Sequence, residues 1–333
     1  MSQKDQITIR DVADKAGVSV ATVSRVLNNE KCVAEDTFEK VKAVIERENY
    51  RPNLLGRNLR RTQTNIILVL TVSIEYPYFT AVITGIEQTA LKYDYNVILC
   101  NTNFEPQREY RYLDMMRTKL SDGAIFLSPT ISAREINDIG KLHPVVQCSE
   151  MRGETTVSQV SIDYTAAAAE AVRHLYALGR RRIALISANH EFMSTTQIEI
   201  GYSNALAAVG LEKKTHIVRV TDYWYNSGVE AMQQLLHSDD RPDAVLCVGD
   251  LLAIGAIRAI KQAGLSVPGD IAVVGCDDIE QAKQSDPPLT SISIPKFEIG
   301  KTAVELLIAQ IKGEPPKRVC LHHDLVTRAS TIG

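Results

Sequence analysis

From Asn65 onward, short runs of β-branched residues alternate with segments of helical periodicity. Strands separated by single helices indicate parallel sheets covered on both faces, so this alternation constrains the fold more than any other feature. Nine runs predict strands, at residues 66–70, 96–100, 123–128, 144–149, 159–163, 182–187, 216–220, 244–249 and 271–276. Helices are predicted between them, for example at residues 79–93, 165–178 and 251–263. Nine strands are too many for one small sheet, and the sequence reads as two similar halves, so we expect an α/β body of two doubly wound lobes.

The sequence lacks the motifs of common α/β enzymes. No G-x-G-x-x-G follows a predicted strand, and neither G-x-x-x-x-G-K-[ST] nor G-x-S-x-G occurs. These absences argue against a dinucleotide enzyme, a P-loop NTPase and an α/β-hydrolase. The six cysteines form no C-x-x-C pair, and the adjacent His322 and His323 would point to opposite faces of a strand. We therefore predict no catalytic residue, no cofactor and no metal site.

Charge is distributed unevenly along the chain. Residues 1–61 contain 12 Lys and Arg against 9 Asp and Glu, whereas the remainder contains 25 against 31. The run from Arg51 to Arg61 contains four arginines and no acid. A basic head on an acidic body is typical of a nucleic-acid reader joined to a domain with another task, although a charge run is more often a solvated surface.

The sequence shows neither a membrane-spanning segment nor a signal peptide, which predicts a protein that stays in the cytoplasm. The longest apolar segments are short and broken by Gly, Asp or Arg, so we expect no membrane span. The N-terminal sequence MSQKDQITIRDV carries charges and has no apolar core of a signal peptide.

Residues 1–50 have the pattern of three short helices. Apolar residues recur at i, i+3, i+4 and i+7 from Ile9 to Ala16, which predicts an amphipathic helix that closes at Gly17. Ser19 is a good N-cap for a second helix over residues 20–27, and a third is predicted from about residue 36 to 48. Helix, tight glycine turn and helix is the helix-turn-helix pattern, in which the second helix enters the major groove of DNA.

The second helix would bury Val23 and Val26 and expose small residues with one arginine. Arg25 can donate two hydrogen bonds to guanine, and Val20 and Ala21 can contact thymine methyl groups. Small hydroxyl side chains are the right size for phosphate contacts. The predicted DNA-contacting residues of the head are Ser19, Val20, Ala21, Thr22, Ser24, Arg25 and Asn28. The alternative is a small helical subdomain without a DNA function.

The stretch ITIRDVADKAGVSVATVSRVLNN, followed by YRPN, resembles the LacI/GalR family of bacterial transcription regulators, and the resemblance continues over essentially the whole chain. It implies a small all-α helix-turn-helix head, a hinge and a body of periplasmic-binding-protein type, with three crossovers between two parallel-sheet lobes. The implied parts are the head at 1–50, the hinge at 51–64 and the body at 65–333, with lobe one at 65–162 and 294–323 and lobe two at 163–293 and 324–333.

The connector at residues 51–64 would by itself be a flexible linker. Pro52 stops the third helix, and the helix that Asn53 could cap over residues 54–60 is too short to be stable alone. The resemblance implies instead a hinge helix that orders on DNA in the minor groove, where Leu59 wedges between base steps beside arginines that face phosphates. The implied hinge contacts are Arg57, Leu59 and Arg60.

Ligands of parallel α/β folds bind at the carboxyl ends of the strands, here in a cleft between the lobes. The residues that follow the predicted strands and are candidates for effector binding are Tyr78, Phe79, Glu150, Met193, Ser194, Tyr223, Asp250 and Asp277. Aromatic walls with a few carboxylates suit a ligand rich in hydroxyl or amino donors, such as a nucleoside or a sugar. Tyr78 and Phe79 could instead be core anchors, and Asp250 could simply cap the next helix. A carboxylate at the end of a strand in a cleft, as at Asp277, needs a hydrogen-bonding or charged partner.

The family resemblance supports Phe79, Tyr223, Asp250 and Asp277 as ligand contacts. It also implies a basic ligand contact three residues before Gly201, where this chain has Ile198. This departure argues against a phosphorylated or carboxylate effector.

We therefore predict a homodimeric repressor-type regulator of double-stranded operator DNA, controlled by a nucleoside or a sugar. One alternative is control by a protein corepressor, because KYDYNVILCNTN resembles family members regulated in that way. The other is a solute-binding protein without a DNA function.

Overall fold

A computed structural model describes residues 7–27, 32–50, 63–151, 153–189, 192–211 and 216–333. The chain divides into two compact units, Met1–Thr64 and Asn65–Gly333, which we call the head and the body. The predicted contacts Asn28, Arg57, Leu59 and Arg60 lie outside the described residues.

The described part of the head contains three helices, α1 (Ile9–Ala16), α2 (Val20–Leu27) and α3 (Glu35–Arg47). Thr8 and Asp11 form a reciprocal capping box at the start of α1. Gly17 ends the helix at φ +64°, a left-handed conformation that glycine adopts at little cost and that turns the chain sharply into α2. The predicted helix-turn-helix is therefore confirmed.

Small apolar side chains form the core of the head. They are Val12, Ala13, Ala16, Val23, Val26, Val41 and Val44. Each helix contributes to this cluster at helical spacing, so one face of each helix is buried and the opposite face remains in solvent.

The described part of the body contains two six-stranded sheets, which confirms the predicted two-lobed α/β fold. The strands of the first sheet are β1 (Ile66–Thr71), β2 (Asn96–Asn101), β3 (Gly123–Phe126), β4 (Val145–Cys148), β5 (Ser158–Ile162) and β11 (Arg318–Leu321). Their order is β11-β5-β4-β3-β1-β2, and all the pairs are parallel.

The second sheet repeats this arrangement. Its strands are β6 (Ile183–Ala188), β7 (His216–Val220), β8 (Ala244–Cys247), β9 (Ala272–Asp277), β10 (Thr290–Ser293) and β12 (Asp324–Val326). Their order is β12-β10-β9-β8-β6-β7, with β12 antiparallel to β10 and the other pairs parallel. All nine predicted strands are present, and β10, β11 and β12 are additional.

Helices pack on the faces of both sheets. They are α4 (Pro77–Lys92), α5 (Pro106–Arg117), α6 (Ala133–Gly140), α7 (Tyr164–Ala177), α8 (Met193–Ala208), α9 (Tyr225–Leu236), α10 (Asp250–Gln262), α11 (Glu280–Gln284) and α12 (Lys296–Ile311). None of the described helices is long and apolar enough to cross a membrane.

Glycines set the closest contacts between packed helices. A Cβ on Gly85 of α4 would lie 2.3 Å from the carbonyl oxygen of Phe297 in α12, and one on Gly300 would lie 2.2 Å from that of Val82. A Cβ on Gly255 of α10 would be similarly close to the carbonyl oxygen of Tyr225 in α9, at 2.1 Å. These helices therefore approach backbone to backbone, at a distance that any larger residue would prevent.

The chain passes between the lobes three times. It leaves the first sheet after β5, returns to it from β10 through α12, and crosses again in the short segment between β11 and β12. Strand β11 pairs with β5, while β12 pairs with β10. The last residues of the chain therefore join both sheets.

Candidate DNA-reading helix and effector cavity

Helix α2 presents the predicted base-reading face to solvent. Ala21 and Arg25 are exposed and Val20 is half-buried, whereas Val23 and Val26 on the opposite face belong to the core. Because the apolar side of the helix is held against α1 and α3, the exposed side keeps a fixed orientation on the head.

The hydroxyl groups at the start of α2 have local roles. Ser19 Oγ accepts a hydrogen bond of 3.1 Å from the amide of Thr22, and the two side-chain oxygens are 2.9 Å apart. Ser19 therefore caps the helix, as expected for its position. Ser24 is half-buried one turn further along. This part of α2 places small polar groups beside Arg25, where phosphate contacts would position the helix on DNA.

A cavity of about 350 Å³ lies in the body between the carboxyl ends of the two sheets. Six of the predicted effector residues line it: Tyr78, Phe79, Glu150, Ser194, Tyr223 and Asp277. They come from both lobes, since the first three follow β1 and β4 and the others follow β6, β7 and β9. The rule that parallel strands present functional residues at their carboxyl ends accounts for this convergence.

The other two candidates, Met193 and Asp250, do not line the cavity. Asp250 is fully buried and accepts hydrogen bonds from the amide of Ile279, at 2.8 Å, and from the hydroxyl of Ser291, at 2.6 Å. It does not cap its own helix, whose N-cap is Gly249. Its carboxylate instead holds the loop after β9, which begins immediately after Asp277.

Two hydrogen bonds between side chains of the cavity wall join the lobes, and a carboxylate accepts each of them. Ser194 Oγ donates to Glu150 Oε1 at 2.5 Å, and Tyr76 Oη donates to Asp277 Oδ2 at 3.0 Å. The second oxygen of Glu150, Oε2, is buried without a hydrogen-bond partner among the described residues. The cavity therefore contains strong acceptors with remaining capacity for a ligand.

Burial shifts the titration of these carboxyl groups. It raises the pKa of Glu150 to about 7, although hydrogen bonds from Ser194 favour the ionised form. Burial also raises the pKa of Asp277 well above its usual range, and the nearby charge of Asp250 adds to the effect. Two buried acids with raised pKa values in one cavity are typical of a functional site.

The backbone is strained where these carboxylates leave their strands. Asp277 has φ +113° and the next residue, Asp278, has φ +53°, while Ser149, which precedes Glu150, has φ +72°. The ammonium of Lys296 holds the first of these segments by donating to the carbonyl oxygens of Asp277 and Asp278. Strained residues that the surrounding structure holds in place cluster at binding sites.

Aromatic rings form much of the remaining wall, and sequence reasoning missed several of them. Tyr76 lies at the centre, with its ring 6.2 Å from that of Tyr223, 5.9 Å from that of Trp224 and 6.0 Å from that of Phe79. Phe104 and Phe192 form a further pair, 6.3 Å apart. Tyr76 and Trp224 are direct neighbours of predicted segments, and their position after β1 and β7 was the available signal.

Comparison with known proteins accounts for both units. Residues 8–53 match the bacterial regulatory proteins of the lacI family, and residues 63–329 match the periplasmic binding proteins and sugar binding domain of the LacI family. The chain belongs to the LacI family. This confirms the family inferred from the N-terminal motif, and the match of the head does not favour the alternative of a solute-binding protein without a DNA function.

Relatives of this LacI-family chain are transcription regulators and not enzymes. The HTH-type transcriptional repressor CytR of Escherichia coli (strain K12) is 36% identical over 94% of this chain and 92% of its own length. Catabolite control protein A of Priestia megaterium is 35% identical over 98% and 99%. The crystal structure of the lac repressor dimer bound to operator and the anti-inducer ONPF has a TM-score of 0.90 and 27% identity, covering 99% of this chain and 100% of that one.

Proposed function

We propose that this chain is a sequence-specific repressor-type transcription regulator that binds a pseudo-palindromic operator as a homodimer and is controlled by a small molecule in the inter-lobe cavity. The observation that carries the proposal is the surface of α2, which buries Val23 and Val26 and exposes Ala21 and Arg25. A two-fold symmetric dimer would present two such helices to two half-sites. Since the protein would bind operator DNA, we propose that it acts in the cytoplasm.

On DNA, the head would read bases with Val20, Ala21 and Arg25 and would be positioned by phosphate contacts. The residues proposed for those phosphate contacts are Ser19, Thr22 and Ser24, and Asn28 is a further proposed DNA contact. The hinge would add Leu59 as a minor-groove wedge between Arg57 and Arg60. The lac repressor dimer bound to its operator supports this assignment, because its structure covers nearly all of this chain.

The effector would bind where the two lobes meet. A ligand that contacts Glu150 from one lobe and Asp277 from the other would compete with the two cross-lobe hydrogen bonds and change the preferred angle between the sheets. In a dimer, that change would respace the two hinges and shift the population that can bind DNA. A cavity of about 350 Å³ with buried acceptors favours a small molecule, such as a nucleoside or a sugar, over a protein corepressor.

Deletion of the head tests this division of function. Full-length protein and a chain without residues 1–61 would both be used to select binders from random-sequence duplex DNA. We expect the full chain to enrich a palindromic sequence and the truncated chain to enrich none, because α2 is absent from it. The body should stay folded, since its sheets and core lie entirely within residues 65–333. DNA selection by the truncated chain would refute the proposal.

A further inference from the structure

The acidic side chains of the cavity have no basic counterpart among the described residues of its wall. Glu75, Glu150, Asp222 and Asp277 line it, and none of its described lining residues is Lys, Arg or His. The ammonium group of Lys296 does not line the cavity and donates to main-chain carbonyl oxygens, among them that of Asp277. The described part of the wall therefore gathers acidic groups without a basic side chain among them, and a bound cation would favour their ionised forms.

The buried oxygen of Glu150 is a second and independent indication. Oε1 accepts from Ser194, while Oε2 is buried without a partner in the described part of the chain. An unpaired buried carboxylate oxygen is costly, and a donor that arrives with a ligand would remove that cost. Asp277, 8% exposed, accepts a hydrogen bond from Tyr76 through Oδ2. Glu150 thus calls for a donor from the ligand, and Asp277 has the capacity to accept another.

The aromatic rings around these acids favour a cation over a neutral donor. Tyr76, Phe79, Tyr223 and Trp224 surround the same part of the cavity, with Tyr76 about 6 Å from each of the others. Aromatic faces carry partial negative charge and attract ammonium and guanidinium groups. Carboxylates combined with an aromatic cage are a recurring way to bind organic cations, whereas an anion would be repelled by the acids.

We infer that the effector carries a positive charge, as an ammonium or amidinium group, and that this group binds between Glu150, Asp277 and the aromatic ring cluster of Tyr76, Tyr223 and Trp224. The inference rests on the proposed function, because it names the ligand class of the same cavity. An amino sugar or an amino-substituted nucleoside fits these requirements. Phosphorylated and carboxylated compounds do not fit them.

Matched compounds that differ at one group test the inference. The first series is D-glucosamine, D-glucose and D-glucuronate, and the second is 5′-amino-5′-deoxyadenosine, adenosine and adenosine 5′-monophosphate. Each compound would be titrated into the full-length protein by calorimetry at neutral pH. In at least one series we expect the amine to bind at least about tenfold more tightly than the hydroxyl parent, with no binding of the anion. Equal binding of amine and parent, binding of the anion, or binding of neither amine would overturn the inference.

Charge-neutral variants identify the residues that select the cation. Glu150→Gln keeps the shape of the side chain and removes its charge, so the preference for the amine over the parent compound should fall by about tenfold. Asp277→Asn provides a second variant should Glu150→Gln fold poorly. Glu298→Gln, which removes an exposed acid paired with Lys301, is the matched control and should keep the preference. An unchanged preference in both cavity variants would contradict the assignment.

A DNA assay separates the failure of this inference from the failure of the proposed function. The same protein would be used for selection from random duplex DNA without any added compound. If the protein selects a DNA sequence but shows no preference for amines, only the inferred positive charge of the effector is overturned. Loss of DNA selection would overturn the function itself.

Discussion

At the scale of single residues, Glu150 makes the stability of the body depend on pH. Burial raises its folded-state pKa to about 7, from an ordinary value of about 4.3. The folded state thus holds the proton more tightly than the unfolded chain does. The resulting stability is fully present at low pH and is lost as the pH rises through about 7. Hydrogen bonds from Ser194 oppose this effect of burial by favouring the ionised form.

We therefore expect Glu150→Gln to gain stability relative to the wild type as the pH increases. Between pH 5 and pH 8 the difference in the free energy of unfolding should grow by about 1–3 kcal/mol in favour of the variant. Urea denaturation of both proteins at the two pH values measures it. A difference that stays constant with pH would show that Glu150 titrates normally.

Arg25 is the residue whose loss should change the choice of DNA sequence. Arg25→Ala is expected to weaken operator binding by about 1–3 kcal/mol and to relax discrimination at one base position in each half-site. Arg47→Ala is the matched control, because it removes an exposed arginine from α3 that pairs with Glu48. It should weaken binding to all sequences alike. Binding of single-base operator variants distinguishes the two patterns, and undiminished discrimination by Arg25→Ala would refute its role.

Residues of the cavity were only partly predictable from the sequence. Position after a strand correctly placed Glu150 and Asp277 in the wall, because the carboxyl ends of parallel strands share one edge. The same rule failed for Asp250, whose carboxylate is used by Ile279 and Ser291. It also overlooked Tyr76, since the direction of a side chain within a loop depends on tertiary contacts that no local pattern encodes.

At the scale of helices and strands, the close crossing of α4 and α12 should tolerate no side chain at Gly85. Gly85→Ala would bring Cβ to 2.3 Å from the carbonyl oxygen of Phe297, so the helices must separate. We expect a loss of about 1–3 kcal/mol in the free energy of unfolding, which exceeds the gain in helix propensity of about 1 kcal/mol.

The neighbouring exposed position provides the control for this steric effect. Thr84→Ala lies on the same helix and should change stability by no more than about 0.5 kcal/mol. Chemical denaturation of the three proteins measures both effects. Equal stabilities of Gly85→Ala and the wild type would show that the helices can move apart without cost.

Strands were predicted correctly where they are buried, because a buried strand is a nearly continuous run of apolar residues. All five residues of the first predicted run, from Ile66 to Leu70, are apolar, and four of them are buried in β1. Strands β11 and β12 were not predicted, because they are only three or four residues long and contain exposed charged residues such as Arg318 and Asp324. Short edge strands of this kind resemble loops in sequence, and their pairing becomes visible only when the sheet is assembled.

At the scale of the whole molecule, effector and operator should influence each other's binding equally. The coupling free energy is expected to be about 1–3 kcal/mol, which corresponds to a change of about 5- to 150-fold in each affinity. Operator affinity with and without a compound that binds the cavity, and affinity for that compound with and without operator, give two independent values. Thermodynamic linkage requires the two values to agree. A measurable effect in neither direction would leave the cavity without a regulatory role.

The architecture as a whole was more predictable than its connections. Alternating strand and helix signals identified two parallel-sheet lobes, because the covered faces of such sheets demand nearly continuous apolar strands. The order of the strands within each sheet does not follow from these signals. It depends on long-range pairing, as between β11 and β5, where Arg318 stands opposite Gln159.

That pairing of β11 with β5 has a consequence for how the protein is made. During synthesis the strands β1 to β5 leave the ribosome first, yet the helix α12 and the strand β11 that complete their sheet are among the last segments to emerge. Until then, β5 has an unpaired edge and the apolar surface beneath α12 is uncovered, while the second lobe is being translated. The nascent chain must therefore keep an unfinished sheet soluble while the whole second lobe is synthesised, which makes this a natural stage for chaperone binding.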